Sequence, residues 1–282
     1  MKNLIVRALT GLVFVVVMVG GILYTPLTCA LLFLLITILS TWEFTGLMNA
    51  QEDVQVNRFI TTMAAACLFL GTFGYAAGVG GAVSLFVPWL LSMIYLLISE
   101  LYLGREHPLN NWSFTFMAQG YVALPFALLP LLLFPHDLPL LPTDNTRAGA
   151  FLILCIFVFL WCSDTGAYCF GSLLGRHKLF PSVSPGKSWE GSIGGGLLTV
   201  GVSQLVAAYL PLLTSLQWAG FALVVVIFGT WGDLVESLLK RRLGIKDSGN
   251  ILPGHGGMLD RFDSSLLAIP AVVVYLYVLA AL

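Results

Sequence analysis

Three carboxylates interrupt stretches of chain that are otherwise apolar. Asp164 falls in WCSDTGAY, and Asp233 and Glu236 fall in GTWGDLVES. An ionisable group in such a run is costly to bury, so it marks a functional position by default. The i, i+3 spacing of Asp233 and Glu236 places both on one helix face. Asp233 precedes Lys240 by seven residues, about 10 Å along a helix. A polar cleft at that helix end would therefore reach it. Asp260 and Asp263 repeat the spacing in MLDRFDSS. Four or five carboxylates are thus expected to converge on one side of a bundle. Oxygen donors without thiols or several histidines suit a hard cation. Mg²⁺ in particular is commonly held by one or two carboxylates plus substrate phosphates. The competing reading is that each acid pairs with a neighbouring base, since Arg261 adjoins Asp260 and Lys246 adjoins Asp247.

Two segments could hold phosphate. PGHGG, Pro253 to Gly257, precedes the last apolar run. Gly256 and Gly257 there allow backbone N–H groups to form an anion nest next to a helix N-terminus. His255 serves either as an acid or base or as a hydrogen-bonding loop residue. SPGKSWEG supplies Ser184, Lys187 and Ser188. Its G-K-S resembles the end of a P-loop, but the first P-loop glycine would fall on Pro181, so a P-loop is rejected. A plain turn and helix cap is the simpler alternative. Lys240, Arg241, Arg242 and Lys246 form a basic cluster. It anchors topology at the least, and it suits a grip on anionic lipid or nucleotide phosphates. Glu43 and Glu100 read as structural or interfacial. Gly191 and Gly195 form a small-xxx-small pair for close helix packing.

The elements that must position these groups are membrane helices. Of 282 residues, 58% are hydrophobic and 10% charged, against about 25% charged in a soluble domain. The net charge of −1 gives no field to attract nucleic acid. The five cysteines, Cys29, Cys67, Cys155, Cys162 and Cys169, lie in apolar runs without ligand spacing and read as small core residues. The first run lacks a small-residue cleavage site and reads as a retained helix. The chain is expected to be an all-α polytopic integral membrane protein of about nine transmembrane helices. They are placed at 4–24, 27–48, 59–79, 83–103, 113–134, 149–173, 191–211, 217–239 and 264–282. With the N-terminus in the cytoplasm, twelve of the thirteen basic residues are cytoplasmic and only Arg147 is outside. Residues 1–112 then form an N-terminal scaffold of transmembrane helices. Residues 113–282 form a catalytic region with cytoplasmic loops at 175–190 and 240–263, and loops on a rigid scaffold are where sites usually lie.

Two blocks resemble a known family. The run SLLKRRLGIKDSGNILPGHGGMLDRFD, Ser237 to Asp263, resembles the signature of the CDP-diacylglycerol synthases, also called phosphatidate cytidylyltransferases. Its fixed positions include Ser237, Lys240, Arg241, Lys246, Asp247, His255, Gly256, Gly257, Asp260, Arg261 and Asp263. A second block, SDTGAYCFGSLLGRHKLFPSVSPGKSWEG, Ser163 to Gly191, is also family-like. It departs at Gly186, where the family usually has a basic residue, and at Ser188, where a threonine is usual and the hydroxyl is kept. Residues 150–282 carry the resemblance, whereas the first 110 match only in hydropathy and helix count.

The resemblance implies an enzyme that condenses CTP with phosphatidic acid to give CDP-diacylglycerol and pyrophosphate in phospholipid biosynthesis. It implies Mg²⁺ on Asp233 and Asp260, room for a second cation such as K⁺, and a homodimer. The location it implies is the bacterial cytoplasmic membrane, with the site facing the cytoplasm and membrane lipids as neighbours. On this reading Asp164 and Asp263 complete the metal site. Lys187, Lys240, Arg241 and Arg261 bind phosphate, with Ser184, Ser188, Lys246, His255, Gly256 and Gly257 around the nucleotide. One rival is an ion-coupled transporter using Asp164, Asp233 and Glu236 as its pathway. It is disfavoured because no internal repeat is visible and the polar residues crowd one side. The other rival is a membrane phosphotransferase acting on a different lipid phosphate.

Overall fold

The computed structural model describes residues 2–81, 83–135, 146–249 and 256–281, with side chains from residue 9 onward. Among the described residues, eight helices are long and apolar enough to cross a membrane: Pro26–Met48, Arg58–Ala76, Ser84–Leu103, Pro108–Leu133, Thr146–Leu174, Trp189–Tyr209, Ser215–Arg242 and Leu259–Ala281. Ahead of them stands α1 (Lys2–Tyr24), whose described apolar stretch is Leu9–Tyr24. Every expected span coincides with one of these helices, and the chain is an all-α polytopic membrane protein. The expected ends are less accurate. The last helix starts at Leu259 rather than 264, because hydropathy marks the lipid-embedded part and misses a polar first turn, LDRFD. Among the described residues the only strands are β1 (Lys178–Phe180) and β2 (Ser184–Ser188), an antiparallel pair in a segment expected to be a loop.

The chain packs as two compact units, Met1–Phe134 with Asp247–Phe262, and Pro135–Lys246 with Asp263–Leu282. Packing thus divides the chain after residue 134 and groups 247–262 with the N-terminal helices.

In the first unit, α2 (Pro26–Met48) begins at a Thr25 capping box with Pro26 following it. Asn49 closes the turn into α3 (Arg58–Ala76) by exchanging two hydrogen bonds with the backbone of Val56, at 2.7 and 2.8 Å. The aromatic core includes Phe33 stacked on Phe126, and Phe126 edge-on to Phe262. The fifth span carries Pro125 and Pro130, and its helix is accordingly not uniform. Here α5 (Pro108–Met117) passes into a π-helical turn at Ala118–Ala123, then α6 (Leu124–Ala127) and α7 (Leu129–Leu133). A proline removes one helical N–H and crowds the preceding turn, which the wider π turn accommodates. Glu100, on α4 (Val87–Leu103), has the structural role expected of it. It pairs with Arg105 at 2.7 Å and accepts from Asn111 Nδ2 at 2.8 Å.

The second unit is built on α8 (Thr146–Leu174) lying against α9 (Trp189–Tyr209). The closeness depends on glycine. A Cβ at Gly195 would sit 2.5 Å from the Ser163 carbonyl oxygen, and one at Gly191 would sit 2.7 Å from that of Ala167. The small-xxx-small reading therefore holds. Gly195→Ala is expected to cost about 1–3 kcal/mol through overpacking against backbone that cannot move aside. Gly201, on the same helix with open space around it, should tolerate alanine at no cost. Melting curves in detergent check the pair, and equal behaviour of the two variants would contradict the packing account. The third helix, α10 (Ser215–Arg242), starts at a Thr214–Gln217 capping box. Its Gly232 would put a Cβ 2.7 Å from the carbonyl oxygen of Asp263, on α11 (Leu259–Ala281). Two helix backbones therefore meet where Asp233 and Asp263 stand. Of the cysteines, Cys29 and Cys155 are buried as expected, Cys67 and Cys162 are partly so, and Cys169 is exposed.

Candidate active site

The hairpin between α8 and α9 is fixed at its base. Trp189 N–H donates to the His177 carbonyl at 2.9 Å. The Glu190 carboxylate accepts from the backbone N–H groups of Arg176 and His177 and meets the His177 ring at 2.5 Å. Phe180 packs edge-on to Trp231 of α10. The Ser188 hydroxyl caps α9 by accepting from Gly191 N–H at 3.2 Å. Lys187 therefore lies on a strand, one residue before the cap. The two-residue alternation of an extended segment turns its side chain toward α10.

There the Lys187 ammonium pairs with Asp233 Oδ2. Asp233 Oδ1 accepts from the Ser237 hydroxyl at 3.0 Å, one helical turn on. Asp164 of α8 lies within electrostatic range of both Lys187 and Asp233. Asp263 lies within range of Asp233 and Asp164, and its Oδ1 accepts from Ser264 N–H at 2.5 Å. A hollow of about 360 Å³ opens over Asp164, Lys187 and Asp233, lined also by Tyr168, Ser192 and Thr230 among others. A second cavity of about 360 Å³ runs along α9 and α10 past Ile193, Leu197, Ile227 and Trp231. It is apolar, and it shares Ser192 and Thr230 with the polar hollow.

Asp164, Asp233 and Asp263 come together within one unit. Glu236 is fully buried and pairs with Lys240 one turn along α10. That pairing gives Lys240 a carboxylate partner within its own helix. Arg241 is exposed, with its Nε 3.4 Å from the Val183 carbonyl, and Lys246 is exposed beyond the end of α10. Ser184 begins β2, half-buried. Asp260, Gly256, Gly257 and Arg261 belong to the other unit. There Asp260 Oδ2 accepts from the N–H groups of Ser248 and Gly257, each at 2.8 Å. Gly256 has φ +83°, a left-handed conformation that favours glycine. His255 lies outside the described residues.

Among the described residues, no three His, Cys, Asp or Glu side chains close around one point as a prebuilt metal cage would. Mg²⁺ does not need such a cage, because it usually keeps several waters and completes its shell with substrate phosphates. Asp164 and Asp233 line the hollow beside Lys187, Asp263 lies within electrostatic range of both acids and of Lys240, and the donors these acids offer are all oxygen. The residues present therefore fit Mg²⁺. Sequence reading missed Ser237, Tyr168, Ser192 and Thr230 as members of the site. Only Ser237 was signalled, by its i+4 spacing from Asp233 within the signature block.

Comparison with known proteins decides the family. The model of the cytidylyltransferase family matches residues 5–279, nearly the whole chain. The chain belongs to that family. Among its relatives are proteins named phosphatidate cytidylyltransferase from Staphylococcus saprophyticus, Staphylococcus aureus and Staphylococcus epidermidis. Each is 36% identical to this chain over 190 residues, covering 66% of this chain and 68% of the relative. As a member of this family the chain is a nucleotidyltransferase.

Proposed function

We propose that this enzyme transfers the cytidylyl group of CTP to phosphatidic acid, forming CDP-diacylglycerol and releasing pyrophosphate. The observation that carries this reading is the shared wall of the two cavities. A hollow lined by two carboxylates, Asp164 and Asp233, and by Lys187 adjoins an apolar groove through Ser192 and Thr230. An amphiphile with a phosphate head and acyl chains matches both halves. An oxygen of the lipid phosphate attacks the α-phosphorus of CTP, and the bond from that phosphorus to the bridging oxygen breaks. The lipid phosphate is largely dianionic near neutral pH, its second pKa being about 6, so no strong general base is required. Positioning and charge neutralisation do most of the work in such a transfer. Lys187 binds nucleotide phosphate once it is drawn from Asp233, and Ser237 keeps Asp233 oriented. Asp233 would hold Mg²⁺, with Asp164 and Asp263 beside it. When bound, Mg²⁺ supplies positive charge against the phosphates. The share of Asp260 in metal binding, a second cation such as K⁺ and a homodimer rest on the family resemblance. The deciding assay pairs labelled CTP with phosphatidate in detergent micelles.

The site faces the cytoplasm on this reading, supported by the twelve-to-one division of basic residues. In a background freed of native cysteines, single cysteines at Glu106 and Lys246 should react with an impermeant reagent only from the cytoplasmic side. A cysteine at Asn145 should react only from outside. Labelling of Lys246 and Asn145 positions from one side would overturn the topology.

A further inference from the structure

Glu43 stands on α2, among the N-terminal helices, and is only 7% exposed. Its carboxylate serves a segment more than two hundred residues along the chain. Oε2 accepts from Met258 N–H at 2.8 Å, and Oε1 accepts from Leu259 N–H at 3.1 Å and from the Ser248 hydroxyl. The Met258 and Leu259 groups lie at the start of α11, where backbone donors have no intrahelical acceptor. Ser248 is gripped a second time, because its N–H donates to Asp260 Oδ2 at 2.8 Å. The same oxygen accepts from Gly257 N–H. Two carboxylates thus tie Ser248 to residues 257–259. Gly249 and Gly257 carry no side chain where the carboxylate of Glu43 needs the room. A Cβ at Gly249 would lie 2.7 Å from Oε2, and one at Gly257 would overlap Oε1.

A buried carboxylate is costly as packing material, and an apolar residue of equal volume would often serve stability better. Its directed lone pairs give something an apolar residue lacks, a fixed direction for three donors. We propose that Glu43 is a positioning residue for Asp260, holding the first turn of α11 and Ser248 so that the Asp260 carboxylate keeps one placement. This rests on the reading of Asp260 as a residue of the reaction. It assigns part of the chemistry to the N-terminal helices, which the signature blocks do not reach.

The test compares Glu43→Gln, Ser248→Ala, Asp260→Asn and a control, Asn111→Ala. The control removes a buried polar contact of the same unit away from α11. Outer partners of metal ligands typically change metal affinity or activity by about 10–100-fold. Glu43→Gln is expected to lower kcat within that range, leaving KM for CTP within about threefold. The Mg²⁺ concentration that half-saturates the rise in melting temperature should increase by about tenfold. Ser248→Ala should move both readouts in the same direction by less. Asn111→Ala should lower the melting temperature alone. Glu43→Gln with kcat and Mg²⁺ midpoint no different from Asn111→Ala, beside an inactive Asp260→Asn, would overturn the inference alone. A fully active Asp260→Asn would overturn it together with the reading beneath it. Should Glu43→Gln fail to fold, Ser248→Ala decides, and a wild-type kcat in that variant would overturn the proposal.

Discussion

Asp233→Asn is expected to reduce CTP-dependent transfer by on the order of a hundredfold or more, in a protein that still folds and inserts. Asparagine has nearly the shape of aspartate and keeps the Oδ1 acceptor for the Ser237 hydroxyl, now 3.0 Å away. Local packing therefore survives. The substitution removes the charge that faces Lys187 and that would favour a divalent cation in a partly dehydrated hollow. Raised Mg²⁺ should restore part of the rate, because weaker binding can be offset by mass action. A Mg²⁺ titration of activity alongside a melting curve separates the two effects. Wild-type activity in the variant, or a loss that merely tracks a fall in melting temperature, would contradict the assignment.

The second large effect divides two lysines. Lys187→Ala should lower kcat/KM for CTP by about a hundredfold and leave the melting temperature nearly unchanged. Lys187 and Asp233 are each about a quarter exposed, at 24% and 26%, so water can replace the lost ammonium. Lys240→Ala should do the reverse. Its partner Glu236 has a wholly buried side chain, and breaking a buried pair from one side costs about 3–5 kcal/mol. A markedly lower melting temperature with a smaller change in kcat/KM is the expected result. Equal and negligible changes in kcat/KM for both variants would refute a phosphate-binding role for Lys187.

Much of this was legible in the chain because a bilayer imposes simple demands. Apolar length marks each span, and basic residues give a sidedness. Asp164 and Asp233 were visible because acids are rare inside such runs. The fate of Glu236 was not, although Lys240 stands at i+4. The same lysine could equally have served phosphate, and spacing alone does not rank the two. The strand that carries Lys187 was read as a loop leading into a helix. SPGKS contains Pro and Gly, both poor strand formers, and it is extended because it pairs with β1 and packs against α8 and α9. Glu43 was read as structural or interfacial, and its partners lie more than two hundred residues away. No local pattern links an acid in α2 to backbone donors at the start of α11. The meeting of Asp164, Asp233 and Asp263 depends on Gly195 and Gly232, whose role emerges only when helices are packed.

The central claim is cytidylyl transfer to phosphatidate, and the most direct measurement follows labelled CTP with purified protein, phosphatidate and Mg²⁺ in detergent micelles. The account predicts a lipid-extractable cytidine product formed one for one with pyrophosphate, requiring both phosphatidate and Mg²⁺ and lost in Asp233→Asn. A wild-type protein that forms no such product, or that transfers cytidylyl only to some other phosphorylated lipid, would contradict it.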